Sequence, residues 1–353
     1  MSDNIGIFTV NIEKMSNSCT GIGYIGDETV VFVENACAGE KVKVELTTIT
    51  KTYTIGNTVE VLKPSKHRVK PFCSMYNVCG ACQLQFVNYD YQLDIKQHAV
   101  KDTFKSIAGI DINVPKIIAS PEIKAYRHKV QYPVSQTKVS KRLLAGYYKK
   151  QSHEIVNIKH CPIQPQIADD IIDFIRENAG KYSVSGYNER DNSGDLRHIV
   201  LRISSLNGKV LVTLVVNSKK ITEKIIKFAN HIFENFKEIS GVCINLNNNK
   251  NNVILSDKTV CLTGQDYINE TILDKTFKIG ADTFFQVNPK SAENIFKYVK
   301  NEVDKFDNPT VLDAYAGIAA FGVIVSDVSK NVVSVEANKN SINKAKDVIT
   351  ENK

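Results

Sequence analysis

The chain has 353 residues, of which 42% are hydrophobic and 24% charged, and it carries a formal charge of +7. This length and balance describe a folded protein with room for two or three domains, and they exclude wholesale disorder and fibrous classes. The longest apolar stretches, such as Val210–Val216, are strand-sized and far short of a membrane span, and Met1-Ser2-Asp3-Asn4 opens no secretory signal.

Residues 5–62 read as all-β. Lys41-Val42-Lys43-Val44-Glu45-Leu46 alternates strictly, as a half-buried strand requires. Val30-Val31-Phe32-Val33 and Asn57–Leu62 supply further strands, punctuated by Gly21, Gly23, Gly26 and Gly39. Short strands at this density predict a small barrel of the OB type. Pro64 and Lys66-His67-Arg68-Val69-Lys70 follow as a linker. Asn88–Ile107 has helical periodicity, with Leu93, Val100, Phe104 and Ile107 on one face and Asn88 or Asp90 as the cap. Residues 112–262 read as α+β, with a helix over Ile167–Asn178, strands over Ile199–Ile203 and Val210–Val216, and a polar turn over Asn247–Asn252.

Beyond Asp282 the pattern becomes α/β. Asn288-Pro289 caps and opens a helix whose apolar face is Ala292, Ile295, Phe296 and Val299. Thr310–Ala314 reads as a strand, Gly317–Val328 as a turn and helix, Asn331–Glu336 as a strand and Asn338–Asn352 as a helix. The expected fold is therefore multidomain. An all-β OB-like barrel occupies 1–64, and an α+β central domain with a cysteine cluster occupies 65–264, its helix 88–108 packing on the last domain. The start of a Rossmann-like α/β domain occupies 265–353. Two strands alone leave that parallel sheet unfinished, with an exposed edge.

The charge is uneven. Residues 265–353 carry net −2, and residues 1–264 carry net +9. The densest run is Lys124–Lys159, with nine Lys or Arg against Glu154 alone, and Tyr126, Tyr132, Tyr147 and Tyr148 lie within it. Such cations neutralise phosphates and such rings stack on bases. A solvated face explains the run equally well.

Four of the eight cysteines have a pattern: five residues separate Cys73 from Cys79, two separate Cys79 from Cys82, and 78 separate Cys82 from Cys161. A CxxC spacing lets two sulfurs reach one metal centre from a single turn, and four thiolates suit tetrahedral zinc or a [4Fe-4S] cluster. Spacing does not choose between them, and four unrelated buried cysteines are the alternative. Cys19, Cys37, Cys243 and Cys261 stand singly and read as packing residues.

Val311-Leu312-Asp313-Ala314-Tyr315-Ala316-Gly317 reads as a strand entering a glycine turn, and Glu336 ends the next strand 23 residues after Asp313. A carboxylate at that place binds ribose hydroxyls, and the glycine lets a ligand approach the backbone. Gly317-x-Ala319-x-x-Gly322 departs from the dinucleotide pattern at its second glycine. Asp313 at a strand end suits an amino-bearing cation such as S-adenosylmethionine better than a pyrophosphate. A βαβ unit without a ligand is the alternative.

Taken together, these segments resemble the RNA uracil-5 methyltransferases, in particular the ribosomal-RNA branch with an N-terminal TRAM domain. In the barrel the resemblance is carried by Gly21-Ile22-Gly23-Tyr24 and by Val31 through Glu40. Further on it is carried by Cys79-Gly80-Ala81-Cys82-Gln83-Leu84-Gln85, Tyr126-Arg127-His128-Lys129, Gly146-Tyr147-Tyr148, Ser152 through Val156 and Leu196-Arg197-His198. Phe284-Phe285-Gln286-Val287-Asn288 completes it.

The resemblance implies a [4Fe-4S] cluster on Cys73, Cys79, Cys82 and Cys161. It implies S-adenosylmethionine bound by Gln286 at the methionine end, Tyr315 at the adenosine region and Glu336 at the ribose, with Asp313 and Gly317 beside them. It implies RNA contact from Arg127, Lys129, Arg197 and His198, a buried structural role being the alternative for His198.

The chemistry it implies adds a thiolate to carbon 6 of an unstacked uracil, so that carbon 5 attacks the sulfonium methyl group before a base removes the carbon-5 proton. The nucleophilic Cys and the base are expected beyond Lys353, so no catalytic residue is assigned here. The chain reads as C-terminally truncated and inactive alone. Ala319 and Ala320 stand where the family's turn has Gly and a polar residue. The expectation is a cytoplasmic monomer acting on large-subunit ribosomal RNA. Transfer RNA is the alternative substrate, and a non-catalytic RNA-binding protein or an NAD-dependent oxidoreductase are rival readings.

Overall fold

A computed structural model describes residues 6–26 and 29–352; Met1-Ser2-Asp3-Asn4, on which the signal-sequence expectation rests, lie outside the described residues. The chain divides into two compact units, 1–119 and 120–353.

In the first unit, β1 (Ile7–Met15), β2 (Gly21–Ile25), β3 (Thr29–Glu34), β4 (Lys41–Ile49) and β5 (Tyr53–Lys63) close into a barrel in the order β1-β2-β3-β5-β4. The alternation in β4 works as its sequence requires: Val42, Val44 and Leu46 point inward to meet Val10, Ile12, Val31 and Val33. Gly23 is paired with Ile12, and a side chain at Gly23 would collide with the Asn11 backbone, so glycine lets β1 and β2 approach.

The supposed linker is fixed to this barrel. Arg68 donates to the buried Glu40 carboxylate at 2.5 and 2.8 Å and to the Asn35 carbonyl at 2.6 Å, and its guanidinium lies over Phe86. A small core of Cys37, Tyr76, Leu84, Phe86 and Val87 continues from the barrel to Ile95 of α1 (Tyr89–Thr103). Asn88 caps α1 by accepting from the Tyr91 amide, as expected. The face assigned to α1 from periodicity is corrected. Val100, Phe104 and Ile107 are exposed, and Ile95 is the residue that packs. A short π-helical turn over Phe104–Ala108 shifts the register there.

The second unit is built on β6 (Lys129–Gln136), β7 (Leu143–Ala145), α2 (Gln166–Asn178), β8 (Leu196–Ile203), β9 (Val210–Val216), α3 (Glu223–Asn235), β10 (Ile239–Leu246) and β11 (Thr259–Gly264). The sheet order is β11-β10-β9-β8-β6-β7. Only β9 and β10 are parallel, joined through α3; the other neighbours are antiparallel. Every residue of β9 is buried, because both sheet faces are covered there.

Next come the hairpin β12 (Tyr267–Ile272) and β13 (Lys275–Gly280), then α4 (Pro289–Val303), β14 (Thr310–Ala314), α5 (Ala320–Val325), β15 (Asn331–Val335) and α6 (Lys339–Glu351). One core runs from Leu211 and Cys243 through Phe277 and Phe285 to Phe296, Val323 and Val348. That continuity is why no compact boundary falls at 264/265. On α4, Ala292 and Phe296 are buried as predicted, but Ile295 is exposed. β14 and β15 form a two-stranded parallel sheet with Leu312, Val333 and Val335 exposed. Among the described residues, no helix is long and apolar enough to cross a membrane.

Candidate functional site

The C-terminal ends of β14 and β15 lie side by side, with Asp313 opposite Ser334 and Ala314 opposite Val335. Each strand then delivers one part of a small constellation. Glu336, just past β15, accepts from the Gly317 amide at 2.9 Å and from the Asn338 amide at 2.7 Å. Those two N–H groups, Asn338 first, hold its carboxyl below the ordinary range. The carboxylate is thus ionised and fixed in direction, and each oxygen keeps a second lone pair for a hydroxyl donor. Gly317 has φ +59°, and no atom lies within 4 Å of where a side chain would stand, so the turn leaves open space beside the carboxylate. Tyr315, with φ +59°, is 95% exposed at the same turn.

Asp313 has a different place. Its Oδ2 accepts from the Gly322 amide at 3.0 Å and from the Ser334 hydroxyl at 3.5 Å, and burial pushes its pKa up. Through Oδ2, Asp313 therefore ties the start of α5 to the sheet. Gly322 belongs to the same contact, since a side chain there would press on Ser334 and Asp313. Ala319, where a glycine was expected, adopts φ 60° and ψ 35° and is buried. Gln286 is half-buried on the loop between β13 and α4.

The basic segment lines a cleft of about 1470 Å³ in the second unit, together with residues from the 185–194 loop. Arg127, Lys138, Lys141, Tyr147, Tyr148 and His153 contribute to its wall. Tyr148 is partly exposed and stacks on His153 with ring centroids 5.4 Å apart. Tyr132 is fully buried, donates to Gln164 and meets Tyr147 edge-on, so it is corrected from a stacking candidate to a core residue. Arg127 lies over the Tyr147 ring. Lys129 pairs across the sheet with Arg202, and its pKa is pushed down to about 8 by burial and then by the Arg202 and Arg127 charges.

Arg197 and His198 also border this cleft, and Arg197 is held by the fold around it. Arg197 is 4% exposed, lies over the Tyr187 ring at 4.7 Å, and donates to the carbonyls of Asn247, Asn249 and Asn251 at 2.8, 2.7 and 3.3 Å. The asparagine turn read from the sequence is folded around this guanidinium. Burial, reinforced by the Arg197 charge, pushes the His198 pKa down to about 4, so it offers no positive charge to a phosphate at neutral pH.

Cys73, Cys79 and Cys82 lie within electrostatic reach of one another, burial being the first cause of the raised Cys79 pKa. In the second unit, buried Cys161 donates its amide to the Asp169 carboxylate. Among the described residues, no three His, Cys, Asp or Glu side chains are gathered so as to hold a metal ion. Cys243 and Cys261, read as unrelated, face each other across β10 and β11. That pairing had no local signal, since only strand register creates it.

The TRAM domain family matches residues 6–59, and the tRNA (Uracil-5-)-methyltransferase family matches residues 88–353. An uncharacterized RNA methyltransferase of Clostridium tetani is 34% identical over 96% of this chain and 73% of its own length. Another, from Synechocystis, is 30% identical over 95% of this chain and 72% of its own length. The structure of Pyrococcus abyssi tRNA (uracil-54, C5)-methyltransferase in complex with S-adenosyl-L-homocysteine superposes with a TM-score of 0.75 at 22% identity. It covers 98% of this chain and 76% of that one, a likeness of fold.

Proposed function

The chain belongs to the tRNA (uracil-5-)-methyltransferase family, and from that premise we propose that it serves S-adenosylmethionine-dependent methylation of carbon 5 of a uridine in RNA. The observation that carries this reading is the Glu336 carboxylate, oriented by the Gly317 and Asn338 amides beside an open glycine turn. A ribose diol needs an ionised acceptor of fixed direction, and Gly317-x-Ala319-x-x-Gly322 departs from the dinucleotide pattern at its second glycine. S-adenosylmethionine supplies the methyl group on its sulfonium. Glu336 holds the ribose hydroxyls, Tyr315 offers its exposed ring to the adenosine region, and Gln286 meets the methionine end. Arg127 in the cleft wall and Lys129 on β6 engage RNA phosphates, and Tyr148 offers a stacking surface to an unpaired base.

The substrate read from the sequence is large-subunit ribosomal RNA in the cytoplasm, with the protein acting as a monomer. Transfer RNA is the second reading, favoured by the fold shared with the Pyrococcus abyssi enzyme along both the barrel and the second unit. Competition of the two RNAs for binding to this chain, measured by filter binding, separates the two.

Calorimetric binding of S-adenosylhomocysteine tests the cofactor reading. Glu336→Gln is expected to weaken it about tenfold or more, since one charge-assisted acceptor is lost. Salt-sensitive RNA binding without S-adenosylhomocysteine binding would turn the reading to a non-catalytic RNA-binding protein, and NAD binding in its place would turn it to an oxidoreductase. Cys73, Cys79 and Cys82 are the residues of the first unit that would carry an iron-sulfur cluster. The resemblance, the spacing and the nearness of Cys79 to Cys73 and Cys82 support it, and no step of the reaction is assigned to it.

A further inference from the structure

Gln286 and Glu336 stand 50 positions apart in the chain, yet both are expected at opposite ends of one cofactor. The distance between those ends has to be held by something. The loop leading to Gln286 begins with a turn gripped from two sides. From β8, buried Arg202 donates to the carbonyls of Ala281 and Thr283. From α6, the Lys344 ammonium donates to Asp282 Oδ1 at 2.6 Å and to Thr283 Oγ1 at 2.9 Å. The same Thr283 hydroxyl accepts from the Gly280 amide at 3.1 Å, and its residue is 3% exposed. Gly280 leaves free the space that the Lys344 ammonium occupies, where any side chain would collide with it.

The other end of this connection is Glu336. Asn338 donates its amide to Glu336 and caps α6 by accepting from the Ser341 amide. Lys344 lies on the second turn of that helix. A continuous run of hydrogen bonds and helix therefore joins Glu336, through Asn338 and Lys344, to the turn three residues before Gln286. The Lys344–Asp282 pair is about one-third exposed, a setting in which ion pairs add little to folding stability.

We infer that Lys344, with Asp282 and Thr283 as its acceptors and Arg202 behind them, is a positioning residue that sets the separation between the methionine-end and ribose-end contacts of the cofactor site. The inference rests on the cofactor reading above. Lys344 touches no reacting atom; it acts through the 281–283 turn.

The test measures S-adenosylhomocysteine, which spans both ends, against adenosine, which occupies one. Calorimetry would compare wild type with Lys344→Met, Asp282→Asn and Lys344→Arg. Lys344→Met is expected to weaken S-adenosylhomocysteine about tenfold or more, since small misplacements of a binding group are costly. Adenosine affinity should stay within about twofold of wild type. Lys344→Arg should recover most of the loss, because a cation again reaches Asp282.

Asp282→Asn removes the charge and keeps the Thr283 contact. It gives the same comparison if Lys344→Met folds poorly, and a smaller loss in the same direction supports the inference. Unchanged S-adenosylhomocysteine affinity, or equal loss for both ligands, would overturn the positioning role while leaving the cofactor reading intact. Wild-type protein that binds neither ligand would overturn the cofactor reading and the inference with it.

Discussion

Replacing Arg197 with Met separates a clamp from an RNA contact. Arg197 is buried, and its guanidinium serves three carbonyls of the 247–252 turn and the face of Tyr187. Asn247 is 1% exposed, so its carbonyl has no water to turn to; Asn249 and Asn251 are exposed and recover solvent. The buried acceptor costs about 1–3 kcal/mol when its donor is removed. Loss of the cation–π contact adds about 1 kcal/mol. Relief from burying a charge offsets part of this, leaving a net destabilisation of roughly 2–3 kcal/mol. For a unit of this size that lowers the melting temperature by about 4–12 °C. Lys is no rescue, since a point charge cannot reach three carbonyls from one plane. The assay is thermal unfolding followed by circular dichroism, with RNA affinity measured below the transition. A melting temperature within about 2 °C of wild type, together with a tenfold loss of RNA affinity, would refute the clamp and restore the RNA contact.

Lys129 sets a pH dependence. Its pKa in the fold is about 8 against an ordinary 10.5, so its charge is present below that value and lost as pH rises through it. RNA affinity should fall between about pH 7 and pH 9, and Lys129→Met should flatten that step in a filter-binding titration. The same shift makes stability rise with pH between the folded and unfolded values, because there the unfolded chain binds the extra proton; Lys129→Met should abolish this rise too. Gly317→Ala forces a side chain into φ +59° and should lower stability by about 1 kcal/mol, read by urea unfolding, and S-adenosylhomocysteine affinity should fall as well. Iron and sulfide analysis of anaerobically purified protein decides the cysteine cluster: about four iron and four sulfide per chain would support it, and a single zinc or no metal would dismiss it.

Much of the molecule was legible in one dimension. The alternation of Lys41–Leu46, the buried run Val210–Val216, the Asn288-Pro289 helix start and the strand over Thr310–Ala314 all have local physical causes, and they recur in the fold where the sequence put them. The glycine turn after β14 and the carboxylate after β15 were legible too, but the hydrogen bond between them comes from the pairing of the two strands.

Other assignments failed because burial is a property of neighbours. Tyr132 sits in the cationic run of the sequence, yet strand pairing turns it into the core, and a distant asparagine turn is folded around Arg197. Val100 and Ile107 have helical spacing but remain exposed, whereas Ile95 meets Phe86 and its neighbours.

Sequence alone thus determined which segments are strands and helices, where the charge lies and which residue types could bind a nucleoside, since these depend on backbone preference and composition. Tertiary structure decided which charges remain available, that Asp313 ties the start of α5 to the sheet, and that Lys344 ties Glu336's helix to the Gln286 loop. Those outcomes depend on contacts between residues far apart in the chain, which only packing brings together.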